Sequence, residues 1–263
     1  MTAVFLALDV GNSSTKAAVW DGTAWSDVAR FPSDDAPPGV WADRLGPLVR
    51  PGTPSGVASV VPAVTRSLSE GVRLVTGAAP GVVSARLALP FRMGYRTPET
   101  LGADRLAAAV AAFALGDGGP VVAVDAGTAL TLDAVDVPAD GPVYLGGAIA
   151  PGPDLLARSL ARGTGALPDI ALTPDAVAVG TTTAEGIQAG VAGLFLGGVE
   201  RLLAQTSAAL SARPFVVAAG GWAGWLVDRG LAVDAVVPTL VLDGVRLLCV
   251  PEATGGAAAS RRG

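Results

Sequence analysis

Short apolar runs, broken at regular intervals by aspartate, glycine and proline, set the rhythm of this chain. Residues 3–9, 15–20 and 24–31 predict three strands, with Asp21-Gly22 as a hairpin signal between the last two. A Pro/Asp-rich loop occupies 32–39, and a short amphipathic helix follows with Trp41, Leu45 and Leu48 on one face. Residues 56–61 read as a buried strand and 62–75 as a helix carrying Val64, Leu68 and Val72. Pro62 suits the first turn of that helix, where its missing N–H is no loss. A short strand at 82–84 precedes a helix that opens at Thr100 or Gly102 and runs through Leu106, Val110 and Phe113 to Gly116. This alternation of strand and helix is that of an α/β protein.

One segment of the pattern occurs twice. LALDVGNSSTKAAV at 6–19 returns as VAVDAGTALTLDAV at 122–135; laid side by side without gaps, Ala7, Asp9, Gly11, Thr15, Ala18 and Val19 match Ala123, Asp125, Gly127, Thr131, Ala134 and Val135. Each copy is a buried strand, a tight Asp-x-Gly turn and a returning strand. Glycine lets such a turn approach a ligand closely and leaves its amides free to face it. Asn12, Ser13, Ser14, Lys16 and Thr128 add donors, and each Asp can hold a cation or orient water. Two facing turns would cradle a nucleoside triphosphate and its metal.

The second half continues with a strand at 143–149 inside YLGGAIAPG, whose glycines serve either phosphate contact or close packing, and a helix at 154–161. Residues 166–179 are less regular. A long helix is predicted over 183–206, with Ile187, Val191, Leu194, Val199 and Leu203 as its apolar face. Gly186, Gly190, Gly193, Gly197 and Gly198 along it permit close approach of another helix, in the same or a second subunit. PFVVAAGGWAGWLVDRG at 214–230 reads as strand, Gly-Gly turn and helix, a turn that either receives an adenosine or simply joins its neighbours tightly. A last helix covers 241–249, and 252–263 reads as a disordered tail.

Composition narrows the chemistry. The 263 residues are 51% hydrophobic, with mean hydropathy +0.52, yet no run of about 20 uninterrupted apolar residues appears. No basic region precedes VFLAL, so no signal peptide is visible and a cytoplasmic location is expected. Net charge is −5, without a long Lys/Arg run, which argues against bulk attraction to nucleic acid. The lone Cys249 allows no intrachain disulfide and reads as a core residue. Histidine is absent, which excludes Ser-His-Asp and Cys-His catalysis and histidine-ligated metals. Acid–base work falls to carboxylates, Lys, Tyr or the cysteine, and an oxygen-liganded cation fits best.

GADR at 102–105 places Asp104 and Arg105 in the first turn of a helix. An Asp there complements the helix dipole, and capping alone would explain it. Alternatively, Asp104 accepts the proton of an attacking hydroxyl and Arg105 grips a substrate carboxylate with its fork.

Taken together these motifs resemble the type III pantothenate kinases, members of the acetate and sugar kinase/Hsp70/actin superfamily, over nearly the whole chain. DVGNSSTK at 9–16 is similar to the first phosphate motif, SVVP at 59–62 to a segment after an early strand, and Tyr95 with GADR to the pantothenate motif. DAGTALTLD at 125–133 and GGAIAPG at 146–152 follow in the family order. AAGG at 218–221 is similar to the adenosine motif, with Ala219 where the family has Thr.

The resemblance implies a duplicated ribonuclease H-like, actin-like ATPase fold of two mixed-sheet halves with flanking helices, at 1–117 and 118–251. It implies ATP-dependent phosphorylation of pantothenate, the first step toward coenzyme A. The phosphates and Mg²⁺ would be held by Asp9 (through water), Val10, Gly11, Asn12, Ser13, Ser14, Thr15 and Lys16, with Gly127 and Thr128 opposite and Gly220 and Gly221 at the adenosine. Asp125 would take a monovalent cation, K⁺ or NH₄⁺. Asp104 would be the general base, and Tyr95, Gly102, Ala103, Arg105 and Thr183 would shape the pantothenate pocket. A homodimer sharing that pocket is implied too, with neither nucleic acid nor membrane as a partner. Two alternatives remain: another small-molecule kinase or phosphatase of the superfamily, against which Tyr95 with GADR argues, and a non-catalytic regulator, against which Asp9, Asp104 and Asp125 argue.

Overall fold

The computed structural model describes residues 4–173, 175 and 178–250, so the expected tail lies outside the described residues. The chain opens with β1 (Phe5–Val10), β2 (Ser14–Trp20) and β3 (Ala29–Pro32), an antiparallel meander. After α1 (Pro38–Leu45), β4 (Ser55–Ser59) joins β1 in parallel; after α2 (Pro62–Thr76), β5 (Gly81–Val82) joins β4. The sheet order is β3-β2-β1-β4-β5. Every residue of β1 is buried, because Leu6, Leu8 and Val10 face the α1–α2 layer while Phe5 and Ala7 face the centre of the molecule.

The connection to the second half carries β6 (Arg92–Met93) and α3 (Ala103–Leu115). Then come β7 (Val121–Ala126), β8 (Ala129–Asp136), β9 (Val143–Pro151), α4 (Pro153–Gly163) and α5 (Thr183–Ala208). The described chain closes with β10 (Phe215–Ala219), α6 (Ala223–Asp228), β11 (Ala235–Val236) and α7 (Leu240–Cys249). The second sheet runs β11-β10-β7-β8-β9-β6. Its strands β9-β8-β7-β10-β11 repeat the order and directions of the first sheet, with β6 added beyond β9. The fold is the expected duplicated mixed-sheet architecture. Helices α3 and α7 pack on each other between the sheets, α7 also against β1 and β4, α3 also against β7 and β8. A Cβ on Gly244 would sit 1.9 Å from the Ala107 carbonyl oxygen, so the α3–α7 approach depends on that glycine.

Four expectations are corrected. The ungapped match of the two hairpins holds only up to the turn: Asp9 pairs with Lys16, but Asp125 pairs with Thr131. The second turn is one residue tighter, closing from Gly127 N–H to the Ala129 carbonyl rather than from Gly11 N–H to Ser14, so Thr131 occupies the place of Lys16. The strand expected at 24–31 begins at Ala29; Trp25 makes only an isolated bridge to Trp20 and donates its Nε1–H to Asp243 Oδ1 at 2.9 Å. Leu48 lies beyond α1, which Pro47 cannot continue, although it still packs against the same core. On α5 the buried row is Ile187, Val191, Phe195, Val199 and Leu203, at steps of four; Leu194 is 71% exposed beside the glycines. The two-residue β6 showed no periodicity that a sequence pattern could carry.

Candidate active site

The Asp-x-Gly turns end β1 and β7, at matching edges of the two sheets, and they meet. Ser13 Oγ lies 3.0 Å from Thr128 Oγ1. Beneath them a cavity of about 500 Å³ is lined by Asp9, Asp104 and Asp125, by the backbone and side chains of Gly11, Asn12, Ser13, Ser14 and Lys16, and by Arg105, Gly127, Thr128, Gly220 and Gly221. Of the residues singled out from sequence, Val10 and Thr15 are instead buried, Thr15 Oγ1 resting 3.0 Å from Ser33 Oγ. Ala103 is buried in the central core. Tyr95 lies beside Tyr144, with ring centroids 6.1 Å apart, and Thr183 lines an apolar groove between α4 and α5 away from the cavity.

Lys16 Nζ donates to Asp9 Oδ2 at 2.9 Å. Burial pulls the Lys16 pKa down, but the Asp9 and Asp125 carboxylates outweigh it and leave the ammonium above its ordinary value. Asp125 is pushed up to about 6 by burial, with Lys16 opposing and the Asp9 charge adding. At the other wall, Asp104 sits in the first turn of α3, where Oδ1 accepts the Arg105 N–H at 2.8 Å. A Cβ on Gly102 would fall 2.5 Å from that oxygen, so glycine there makes room for the carboxylate to curl back. The capping role is therefore real, and the same carboxylate also faces the cavity. Burial raises the Asp104 pKa, the Arg105 amide opposes, and Asp9 adds to the rise.

The Gly-Gly turn after β10 packs closely on the end of β7. Gly220 has φ +89°, and a Cβ would lie 2.4 Å from Asp125 Oδ1, so this glycine is required for the loop to cross directly over the carboxylate. Gly152 resolves one of the alternatives left open: its N–H donates to the Thr128 carbonyl at 3.0 Å, and a Cβ would meet the Gly127 carbonyl oxygen at 2.2 Å. That glycine serves close packing behind the phosphate turn.

Sequence reasoning missed Arg30, Asp154 and Trp222, which also line the cavity. Arg30 pairs with Lys16 across β2–β3, and Asp154 stands in the first turn of α4. Only Asp154, an acid directly after GGAIAPGP, carried a usable sequence signal.

The donor set suits a hard divalent cation held with phosphates. Among the described residues no group of three His, Cys, Asp or Glu forms an all-protein metal cage. Mg²⁺ is commonly bound by one or two carboxylates with waters and phosphate oxygens, and the cavity-facing Asp9 can supply one.

The duplicated mixed-sheet fold, with its two Asp-x-Gly turns in contact, is that of the sugar kinase and actin-like ATPase class. The sequence model of the type III pantothenate kinases matches residues 5–205, and the chain belongs to that family. It is 32% identical over 256 residues to the type III pantothenate kinase of Moorella thermoacetica, covering 93% of this chain and 98% of that one. Among solved structures it is similar to a conserved protein assigned to the Baf family of transcriptional activators from Campylobacter jejuni, at TM-score 0.56 and 19% identity over 92% of this chain and 96% of that one. A glucokinase from an Antarctic psychrotroph matches at TM-score 0.51 and 13% identity, over 94% of this chain and 99% of that one. These two structures speak for the fold alone.

Proposed function

We infer that this chain transfers the γ-phosphoryl group of ATP, with a divalent metal ion, to the primary hydroxyl of pantothenate, giving 4′-phosphopantothenate at the start of coenzyme A synthesis. Family membership supports the reaction. The observation that carries the assignment of residues is the Ser13–Thr128 contact, which brings the two phosphate turns together over the three aspartates.

Phosphoryl transfer asks a protein mainly to position reactants and to neutralise charge. In this reading Gly11, Asn12, Ser13, Ser14 and Lys16 hold the phosphates from one side, Gly127 and Thr128 from the other, and Gly220 and Gly221 leave room for the adenosine. Asp9 orients the hydrated Mg²⁺, which when bound would offset the charge developing on the phosphate oxygens. Asp125 holds a K⁺ or NH₄⁺ ion. Asp104 takes the proton of the pantothenate hydroxyl, and burial, which raises its pKa, makes it a stronger base than an exposed aspartate. Arg105 holds the acceptor at its carboxylate end, and Tyr95 and Gly102 shape that side of the pocket.

Thr183 lies outside the cavity of its own chain, and Gly186, Gly190, Gly193, Gly197 and Gly198 on α5 have no neighbour within 4 Å of an added Cβ. Both facts support a homodimer packed through α5, in which the partner completes the pantothenate pocket. Among the described residues α5 is also the one helix long and apolar enough to cross a membrane by length and composition, and dimer packing accounts for its exposed apolar side equally well. A cytoplasmic enzyme divided near 117/118, with neither membrane nor nucleic acid as a partner, completes the reading.

The test is ATP-dependent phosphorylation of pantothenate by the purified protein, with and without potassium. Potassium-dependent product supports the reading. Absence of product under any cation or nucleotide would sink it and send the search to other hydroxyl acceptors.

A further inference from the structure

Asp133 was not among the residues selected for chemistry, yet it is the most deeply placed carboxylate in the described chain, at 0% exposure on β8. It grips Arg105 with both oxygens: Nη2 donates to Oδ1 at 2.7 Å and Nε to Oδ2 at 3.3 Å. The Tyr144 hydroxyl donates to the same Oδ1 at 2.6 Å. The Tyr95 ring packs edge-on against Tyr144, with centroids 6.1 Å apart.

Fold stability does not explain a charge at this position. Once the one-residue difference between the hairpins is allowed for, the register that pairs Ala7 with Ala18 pairs Ala123 with Asp133. The first sheet therefore fills the equivalent site with alanine, and both positions face the central layer. A buried ion pair is often no more stabilising than apolar residues of similar volume, because desolvating two charges offsets their attraction. What the pair does accomplish is geometric. Arg105 sits at the start of α3, in the half that carries Asp104, and Asp133 belongs to the sheet that carries Asp125. Fixing two of its nitrogens leaves the guanidinium a single orientation at the cavity wall, with Asp104 one residue away.

We propose that Asp133, backed by Tyr144, is a positioning residue for the acceptor: it locks the Arg105 fork so that the guanidinium meets the acceptor's carboxylate in one geometry, and it pins the first turn of α3 against the second sheet. The proposal rests on the reading of Arg105 as the residue that holds pantothenate. It assigns acceptor recognition to a residue of the second hairpin, whose turn serves the phosphates.

Steady-state kinetics of Asp133→Asn, with ATP and pantothenate varied separately, test it. Loss of the charged fork is expected to raise the KM for pantothenate about tenfold or more while moving the ATP KM by less than about twofold. Placed on an Arg105→Lys background, Asp133→Asn should add little further, since both changes remove the same fork. A general rise in both KM values, or fully additive losses, would overturn the proposal. Should Asp133→Asn not fold by circular dichroism, Tyr144→Phe serves in its place. It removes one donor to Asp133 and should raise the pantothenate KM by about threefold, and an unchanged value would overturn the proposal. Wild-type turnover is read in the same assay, so its absence would count against the kinase reading itself and take this proposal with it.

Discussion

Ser13 and Thr128 are 115 residues apart in the chain, and their hydroxyls meet at 3.0 Å across the mouth of the cavity. The contact sits where the two hairpin turns converge, so a triphosphate between them would replace it with contacts to its own oxygens. Replacing Thr128 by Val removes that hydroxyl with little change in shape. We expect the KM for ATP to rise about ten- to a hundredfold, the worth of one hydrogen bond to a charged group, while the pantothenate KM holds. Equal shifts in both would place Thr128 outside the phosphate site.

Asp104→Asn keeps the shape of the α3 first turn and can still accept the Arg105 N–H, so the fold should survive. Loss of a general base costs about 10²- to 10⁴-fold in kcat. The ATP KM should change little if the two turns hold the phosphates, as proposed. Near-wild-type kcat in this variant would leave the kinase intact and remove Asp104 from its role.

Burial lifts Asp125 and Asp133 to about 6, well above the unfolded aspartate value of about 4. Between those limits the native state binds more protons than the unfolded chain, so stability falls as pH rises from about 4 to 6 and then levels. Each group contributes at most about 3 kcal/mol to that fall. Asp125→Asn should therefore raise the melting temperature of the nucleotide-free protein at pH 7 and flatten its pH dependence, at the cost of activity. Melting curves at pH 5 and pH 7 with chelator present read this directly, and an Asn variant less stable at pH 7 would contradict it.

Leu194 stands on α5 beside the open glycines, 71% exposed. Leu194→Arg should shift the protein from dimer to monomer in sedimentation velocity without loss of helix content. If the partner supplies Thr183 to the pocket, the same variant raises the pantothenate KM more than the ATP KM. A wild-type protein that sediments as a monomer would remove the shared pocket.

Much of the fold was legible because burial on two sides leaves a simple trace. β1 and β7 are continuous apolar runs ending in Asp-x-Gly, and α2 repeats Val64, Leu68 and Val72 on one side. Local chemistry of this kind survives in a linear pattern. The α5 face was misassigned at Leu194 because a residue three or four positions from its apolar neighbours fits two adjacent helix faces equally, and only the packing against β7 and β8 chooses between them. The turn length was hidden for a similar reason: Thr131 matches Thr15 in letters, while hydrogen bonding matches it to Lys16.

By itself the chain determined its α/β class, its duplication, its two Asp-x-Gly turns and the exclusion of histidine chemistry, since each depends on residue type and near-neighbour spacing. Tertiary structure decided which of the candidates share a cavity, that Val10, Thr15 and Ala103 are core, and that Arg105 is bound to Asp133. Those outcomes turn on the juxtaposition of strands and helices far apart in sequence. Burial pushes the Asp125 and Asp133 pKa values up only because the second sheet and α3 close over them, and no local pattern encodes that closure.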